Sequence, residues 1–186
     1  MRRDLGLADG IHPLLAGRFS PTRFDASAVV DDGSLSLLLE AARWAPSAGN
    51  SQPWGFFVCR PGEPEYERVV RHLAPSSARW AKGAGLLVVT LARRLVGDSS
   101  VLYSEFADYD LGQAVAHMTV QAQAMGLAAR QFRAFDLESL TQELRPNPGW
   151  AIVSMVAVGK AADDAADSRD RRSTADLLSA PWALPQ

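Results

Sequence analysis

Three polar clusters in this 186-residue chain have residue types and spacings that could do chemistry. The first is Arg18-Phe19-Ser20-Pro21-Thr22-Arg23-Phe24. In an extended chain alternate residues share a face, so Arg18 and Ser20 project together. A guanidinium beside a hydroxyl suits a phosphate or the carbonyl oxygens of a ligand. The second runs from Ala45 through Pro46, Ser47, Ala48, Gly49, Asn50, Ser51, Gln52 and Pro53 to Trp54. Its small residues permit close backbone approach, and its amides both donate and accept hydrogen bonds. A planar heterocycle with N–H and carbonyl groups on its edge fits such a loop. The third is Ser168-Arg169-Asp170-Arg171-Arg172-Ser173, where Arg169 and Arg171 fall on one side of an extended stretch and could clamp a phosphomonoester. Each cluster also has a plainer reading: a surface turn, a helix-to-strand connection, and a solvated basic run.

Other chemistries lack their residues. His12, His72 and His117 lie far apart, with no Cys or Glu at metal-ligand spacing, and His117 reads as a helix-surface or core histidine. There is no G-x-S-x-G elbow. Gly83-Ala84-Gly85 precedes a strand instead of following one, and Gly159-Lys160 lacks the upstream glycine of a phosphate loop. No catalytic side chain and no metal site is therefore assigned. A bound cofactor is left to carry any chemistry.

The elements that must position these clusters follow from periodicity. Leu35, Leu38, Leu39 and Ala42 fall at helical spacing, with Ser34 as expected N-cap and an end near Trp44, ahead of Pro46. Trp54 to Cys59, Leu86 to Leu91 and Ala151 to Val158 read as strands. Glu65 to Leu73 reads as a short helix ended by a Pro75-Ser76-Ser77 turn. The clearest helix runs from about Glu105 to Met125: Leu111, Val115, Met118, Ala122 and Met125 trace one stripe, Ala114 and Ala116 permit close packing, and Gly126 stands at C′. Strands separated by helices imply an α/β or α+β sheet sandwiched by helices.

Composition sets the outer limits. Hydrophobic residues at 47% and charged residues at 22% are those of an ordinary globular domain. A net charge of −2 argues against a general nucleic-acid surface. The longest apolar stretches reach about half of a bilayer span. The single cysteine, Cys59, cannot pair within the chain. These features predict one domain over 1–186, in a reducing, cytoplasmic compartment, with no membrane or nucleic-acid partner.

Taken together, the R-x-S opening, Glu40–Trp54 (EAARWAPSAGNSQPW), Asp110–Asp136 and the strand-Gly159 followed by R-x-R resemble the nitroreductase family of FMN-dependent oxidoreductases. The A-P-S-x-x-N-x-Q-P-W run is the most specific part. The resemblance implies an α+β sandwich with a mainly antiparallel sheet, working as an intertwined homodimer with an FMN in each half of the interface. It implies FMN contacts from Arg18, Phe19, Ser20 and Thr22 of one chain and from Pro46, Ser47, Ala48 and Asn50 of the other. The backbone N–H near Arg133 or Ala134 would face flavin N5, Arg169 and Arg171 would hold the phosphate, and the tail from about residue 174 to 186 would reach the partner subunit. The implied activity is hydride transfer from NAD(P)H, through the flavin, to a flat electron-poor acceptor of nitroaromatic or quinone type. Two alternatives stay open: an oxidase or dehydrogenase acting on a specific metabolite, and a non-catalytic FMN-binding or sequestering protein. The chain departs from the family at Thr22, where a Lys or Arg is usual. Arg23 alternates to the opposite face, so a lowered flavin reduction potential is expected unless Arg79 supplies the missing cation. Ala134 stands where Gly is frequent, and the segment over the substrate pocket is short.

Overall fold

The structure is a computed structural model and describes residues 10–162 and 171–179. The larger compact unit spans His12–Ala165. In it, α1 (Pro13–Gly17) leads through the extended Arg18–Phe24 segment to α2 (Asp32–Arg43). A short 3₁₀ turn, Ala48–Asn50, precedes β1 (Trp54–Cys59). Then come α3 (Pro64–Val70), α4 (Pro75–Ala81), β2 (Leu86–Arg93), α5 (Ala107–Ala124), β3 (Ala128–Phe132), α6 (Leu137–Leu144) and β4 (Trp150–Gly159). The sheet order is β1-β2-β4-β3, with every neighbouring pair antiparallel. The expected α+β sandwich is what the chain forms.

Each face of the sheet buries its own core. On one side Leu38 and Ala42 of α2 and Leu111, Ala114, Val115, Met118 and Ala122 of α5 pack on Leu86, Val88, Val156 and Val158. On the other, Val69 and Val70 of α3, Ala81 of α4 and Leu140 of α6 cover Leu87, Val89, Met155 and Ala157. Alternation along β2 and β4 supplies both cores from the same strands, which is why these strands are mostly apolar, apart from the hydrogen-bonded Thr90–Ser154 pair and Arg93 at the end of β2. Leu111, Val115, Met118 and Ala122 of the α5 stripe are buried and Met125 is half-buried, whereas Ala116 faces solvent. Gly126 takes φ +72° just beyond the Met125 C-cap.

Several local expectations are corrected. Asp31, not Ser34, caps α2: its carboxylate accepts the Ser34 N–H at 2.7 Å, because an N-cap acceptor must lie three residues before the amide it satisfies. Pro75 starts a helix and does not end one, since its missing N–H costs nothing in a first turn. The stretch between α5 and β4, which the periodicity leaves unassigned, is not a simple loop. It holds β3 and α6, whose short mixed pattern carries too little period to stand out. Outside the larger unit, α7 (Thr174–Ser179) begins with a reciprocal cap: Ser173 Oγ accepts the Asp176 N–H at 3.1 Å, and the Asp176 carboxylate accepts the Ser173 N–H at 3.1 Å. Among the described residues no helix is long and apolar enough to cross a membrane.

Candidate functional site

The loop between α2 and β1 has an unusual backbone. Gly49, Asn50 and Gln52 all take left-handed conformations, with φ of +58°, +54° and +46°. Two of these are not glycine, and such residues persist only where their surroundings hold them. The holding contacts can be named. Ala48 N–H donates to Oδ2 of Asp110 at 3.0 Å, a residue only 1% exposed in the first turn of α5. The Gln113 amide reaches Asp110 Oδ1 at 3.3 Å and Pro46 O at 3.5 Å. Inside the loop, Ser47 Oγ accepts the Gln52 N–H at 3.0 Å, and the Gln52 amide donates to Asn50 Oδ1 at 3.2 Å. Tyr103 O–H donates to Ser51 O at 2.9 Å, and the Arg93 guanidinium lies 4.0 Å from the Tyr103 ring centre. Pro46, Ala48, Gly49 and Asn50 remain exposed on this scaffold and Ser47 half-buried. Ser51 Oγ is buried with no hydrogen-bond partner among the described residues.

Just before the loop, the Arg43 guanidinium binds Glu40 at 2.6 Å and the Trp44 indole N–H donates to Glu40 at 2.7 Å. Arg43, then Trp44, hold the Glu40 carboxyl down at about 2. The indole of Trp44 is 72% exposed beside the loop entrance.

The Arg18 segment lies elsewhere. A methyl built on Gly17 would sit 3.5 Å from Gln123 Nε2, near the last turn of α5. Asp110, which holds the Asn50 loop, is in the first turn. About 20 Å of helix separate the two. The strands agree. Trp54 and Trp150 mark one end of the sheet, opposite Ala92 and Arg93, whereas Phe24 bridges to Ala161, just past Gly159 at the other end. Within one chain, then, Arg18, Phe19, Ser20 and Thr22 sit at the opposite end of the sheet from Pro46, Ser47, Ala48 and Asn50.

Arg18 Nη1 is 3.5 Å from Ser20 Oγ, as the extended alternation requires. Ser20 and Thr22 are exposed and Phe19 is half-buried. One contact was invisible in the sequence. Arg130 of β3 donates from Nη1 to Pro21 O at 2.9 Å, its guanidinium 4.1 Å from the Trp80 ring centre. A cation is thus tied to the residue before Thr22. Arg79 is exposed and makes no ion pair among the described residues. No local pattern marks Arg130, because only the β3–β4 pairing brings it to Pro21.

Arg133 and Ala134 follow β3, close in the chain to Arg130. The Ala134 carbonyl accepts the Ala74 N–H at 3.1 Å and the Ser77 hydroxyl, turning inward to the start of α4. The backbone N–H groups of Arg133 and Ala134 donate no hydrogen bond among the described residues. The third cluster is only partly described: Arg171 is exposed, and Arg169 lies outside the described residues.

No nucleophile emerges from this geometry. Cys59 is buried, and burial, with Glu63 and Glu65 behind it, pushes its thiol up to about 12. Among the described residues no group of His, Cys, Asp and Glu could hold a metal ion. The donor set is a guanidinium beside a hydroxyl at one end and amides and open backbone at the other. It fits a phosphorylated, planar, heteroatom-rimmed ligand.

Comparison with known proteins points to the same family. The family model described as Nitroreductase family matches residues 15–86, which contain both the Arg18 segment and the Asn50 loop. A crystal structure of an oxidoreductase containing FMN superposes with TM-score 0.78 at 26% identity, covering 88% of this chain and 84% of its own. The chain resembles the nitroreductase family. A second structure, a provisional nitroreductase from Desulfovibrio desulfuricans in complex with FMN, gives TM-score 0.77 at 27% identity over 94% of this chain and 99% of its own. By sequence, a Streptomyces coelicolor protein provisionally named NADH dehydrogenase/NAD(P)H nitroreductase SCO7141 is 27% identical over 162 residues, 77% of this chain and 80% of that protein.

Proposed function

We propose that this chain is an FMN-dependent NAD(P)H oxidoreductase, active as a homodimer in the cytoplasm, that reduces a flat electron-poor acceptor of nitroaromatic or quinone type. Bound FMN would supply the hydride-accepting and hydride-donating chemistry, and the chain's own residues bind and orient. The observation that carries the reading is the separation of Arg18 from Asn50 along α5. One cofactor that uses both must take them from two copies, so the site requires a seam between subunits. Arg18, with the Ser20 hydroxyl, would meet the anionic part. Ser47, Asn50 and the open backbone at Ala48 and Gly49 of the partner copy would meet the ring edge. The N–H groups of Arg133 and Ala134 would offer donors near the ring centre, and Phe19 would contribute its backbone. Arg169 and Arg171 would add phosphate contacts, with the C-terminal tail reaching the partner subunit.

The test is direct. The purified protein, freed of bound flavin, should take up one FMN per chain, run as a dimer in light scattering, and bleach anaerobically on addition of NADH or NADPH. A monomer that takes up no FMN defeats the whole reading. A dimer that binds FMN but does not bleach with either nicotinamide keeps the cofactor and removes the co-substrate.

A further inference from the structure

We propose that Asp110 is a positioning residue whose buried carboxylate holds the 46–52 loop in its left-handed form, ready for the cofactor. The inference rests on the FMN reading above but names a residue outside the contact set. Asp110 is 62 residues from Ala48 in sequence and almost fully buried, yet both its oxygens are spent on this loop or its supports. Oδ2 takes the Ala48 N–H directly. Oδ1 takes the Gln113 amide, which in turn reaches Pro46 O. The carboxylate therefore fixes the two residues on either side of Ser47 at once. Its place in the first turn of α5 suits a negative charge, because that end of a helix carries exposed N–H dipoles.

The physical need is clear from the backbone. A left-handed backbone is disfavoured for residues with a Cβ, more for Gln52 than for Asn50, so an unrestrained loop would relax. A relaxed loop must be re-ordered whenever the cofactor enters, and that ordering is subtracted from binding. Tyr103 holds the far side at Ser51 O, whereas the Ala48 N–H donates to Asp110. Asp110 is the charged anchor, and a hydrogen bond to a charged acceptor is the stronger kind.

The experiment compares Asp110→Ala, Asp110→Leu (which fills the vacated volume should the alanine variant not fold) and Asp110→Asn, with Val69→Ala as control. Val69 is fully buried in the opposite core layer, so its truncation lowers stability without touching the loop. Two quantities are read on full-length protein: the FMN Kd from flavin fluorescence, and amide exchange of Ala48 in the flavin-free protein. Asp110→Ala or Asp110→Leu should weaken FMN binding about ten- to a hundredfold and speed Ala48 exchange. Asp110→Asn keeps an acceptor and should stay within about fivefold. Val69→Ala should bind within about twofold despite a comparable fall in Tm. The proposal is overturned if Asp110→Ala and Asp110→Leu bind FMN like the parent, or if Val69→Ala loses as much affinity at equal Tm. If the parent itself binds no FMN, the functional reading fails instead, and the Ala48 exchange rates still decide whether Asp110 holds the loop.

Discussion

The two ends of α5 solve the same problem differently. At its first turn, the Asn50 loop is shaped by hydrogen bonds to a buried carboxylate and holds a backbone that would otherwise relax. At its last turn, the Arg18 segment is ordinary extended chain. It is seated by the Phe24–Ala161 bridge, the Asp25 N–H to Lys160 O bond at 2.9 Å and the Arg130 bond to Pro21 O. One end presents a preformed shape and the other a charge on a strand. On the proposed reading neither end is a site alone: a shape with little charge would orient a ring, and a charge with little shape would capture an anion.

The strongest way to break this comparison is to mix subunits. Arg18→Ala and Asn50→Ala should each lower FMN affinity about ten- to a hundredfold on their own. If each site draws Arg18 and Asn50 from different chains, co-expressing the two variants restores roughly a quarter of all sites, since half of randomly paired dimers carry one intact site. Flavin titration of the mixed protein reads this directly. No recovery would place both residues in one chain's site and dismantle the seam.

A packing change should separate the two ends next. Gly159 lies beneath Phe24, and a Cβ there would meet Gly85 N at 2.9 Å and the Phe24 ring at 3.2 Å. Gly159→Ala is expected to cost about 1–3 kcal/mol by overpacking and to loosen the Arg18 end. Amide exchange should rise near Asp25 and Ala162 but not at Ala48. Arg130→Met removes the bond to Pro21 O and the contact with Trp80, at an expected cost of about 1–2 kcal/mol in chemical denaturation. A neutral result there would mean that the strand end needs no cation.

Acid gives the smallest effect and belongs to neither end. The Asp31 and Asp136 carboxyls, capping α2 and α6, sit below their ordinary 3.8 because the Ser34 amide and the Ser139 hydroxyl and amide donate to them. A depressed folded value means the caps stabilise above that ordinary range and fail as pH falls through their own lowered values. Far-UV circular dichroism should hold to about pH 4 and decline only below it. Helix loss already near pH 6 would point to another group.

The sandwich and its main elements were legible in the sequence, because Leu111, Val115, Met118 and Ala122 repeat at helical spacing and Leu86–Leu91 is a continuous apolar run. The A-P-S-x-x-N-x-Q-P-W loop was legible too, since two prolines and an amide pair leave few conformations for a helix-to-strand connection. By contrast β3, α6 and the helix after Pro75 were missed, their periods being too short to distinguish from loop. Residue types and order by themselves determined which clusters could bind and what kind of ligand they suit. Only the tertiary structure decided that Asp110 reaches Ala48, that Arg130 reaches Pro21, and that Arg18 and Asn50 stand a helix length apart. Those facts depend on strand pairing and helix docking between residues distant in the chain, and no local spacing encodes such a distance.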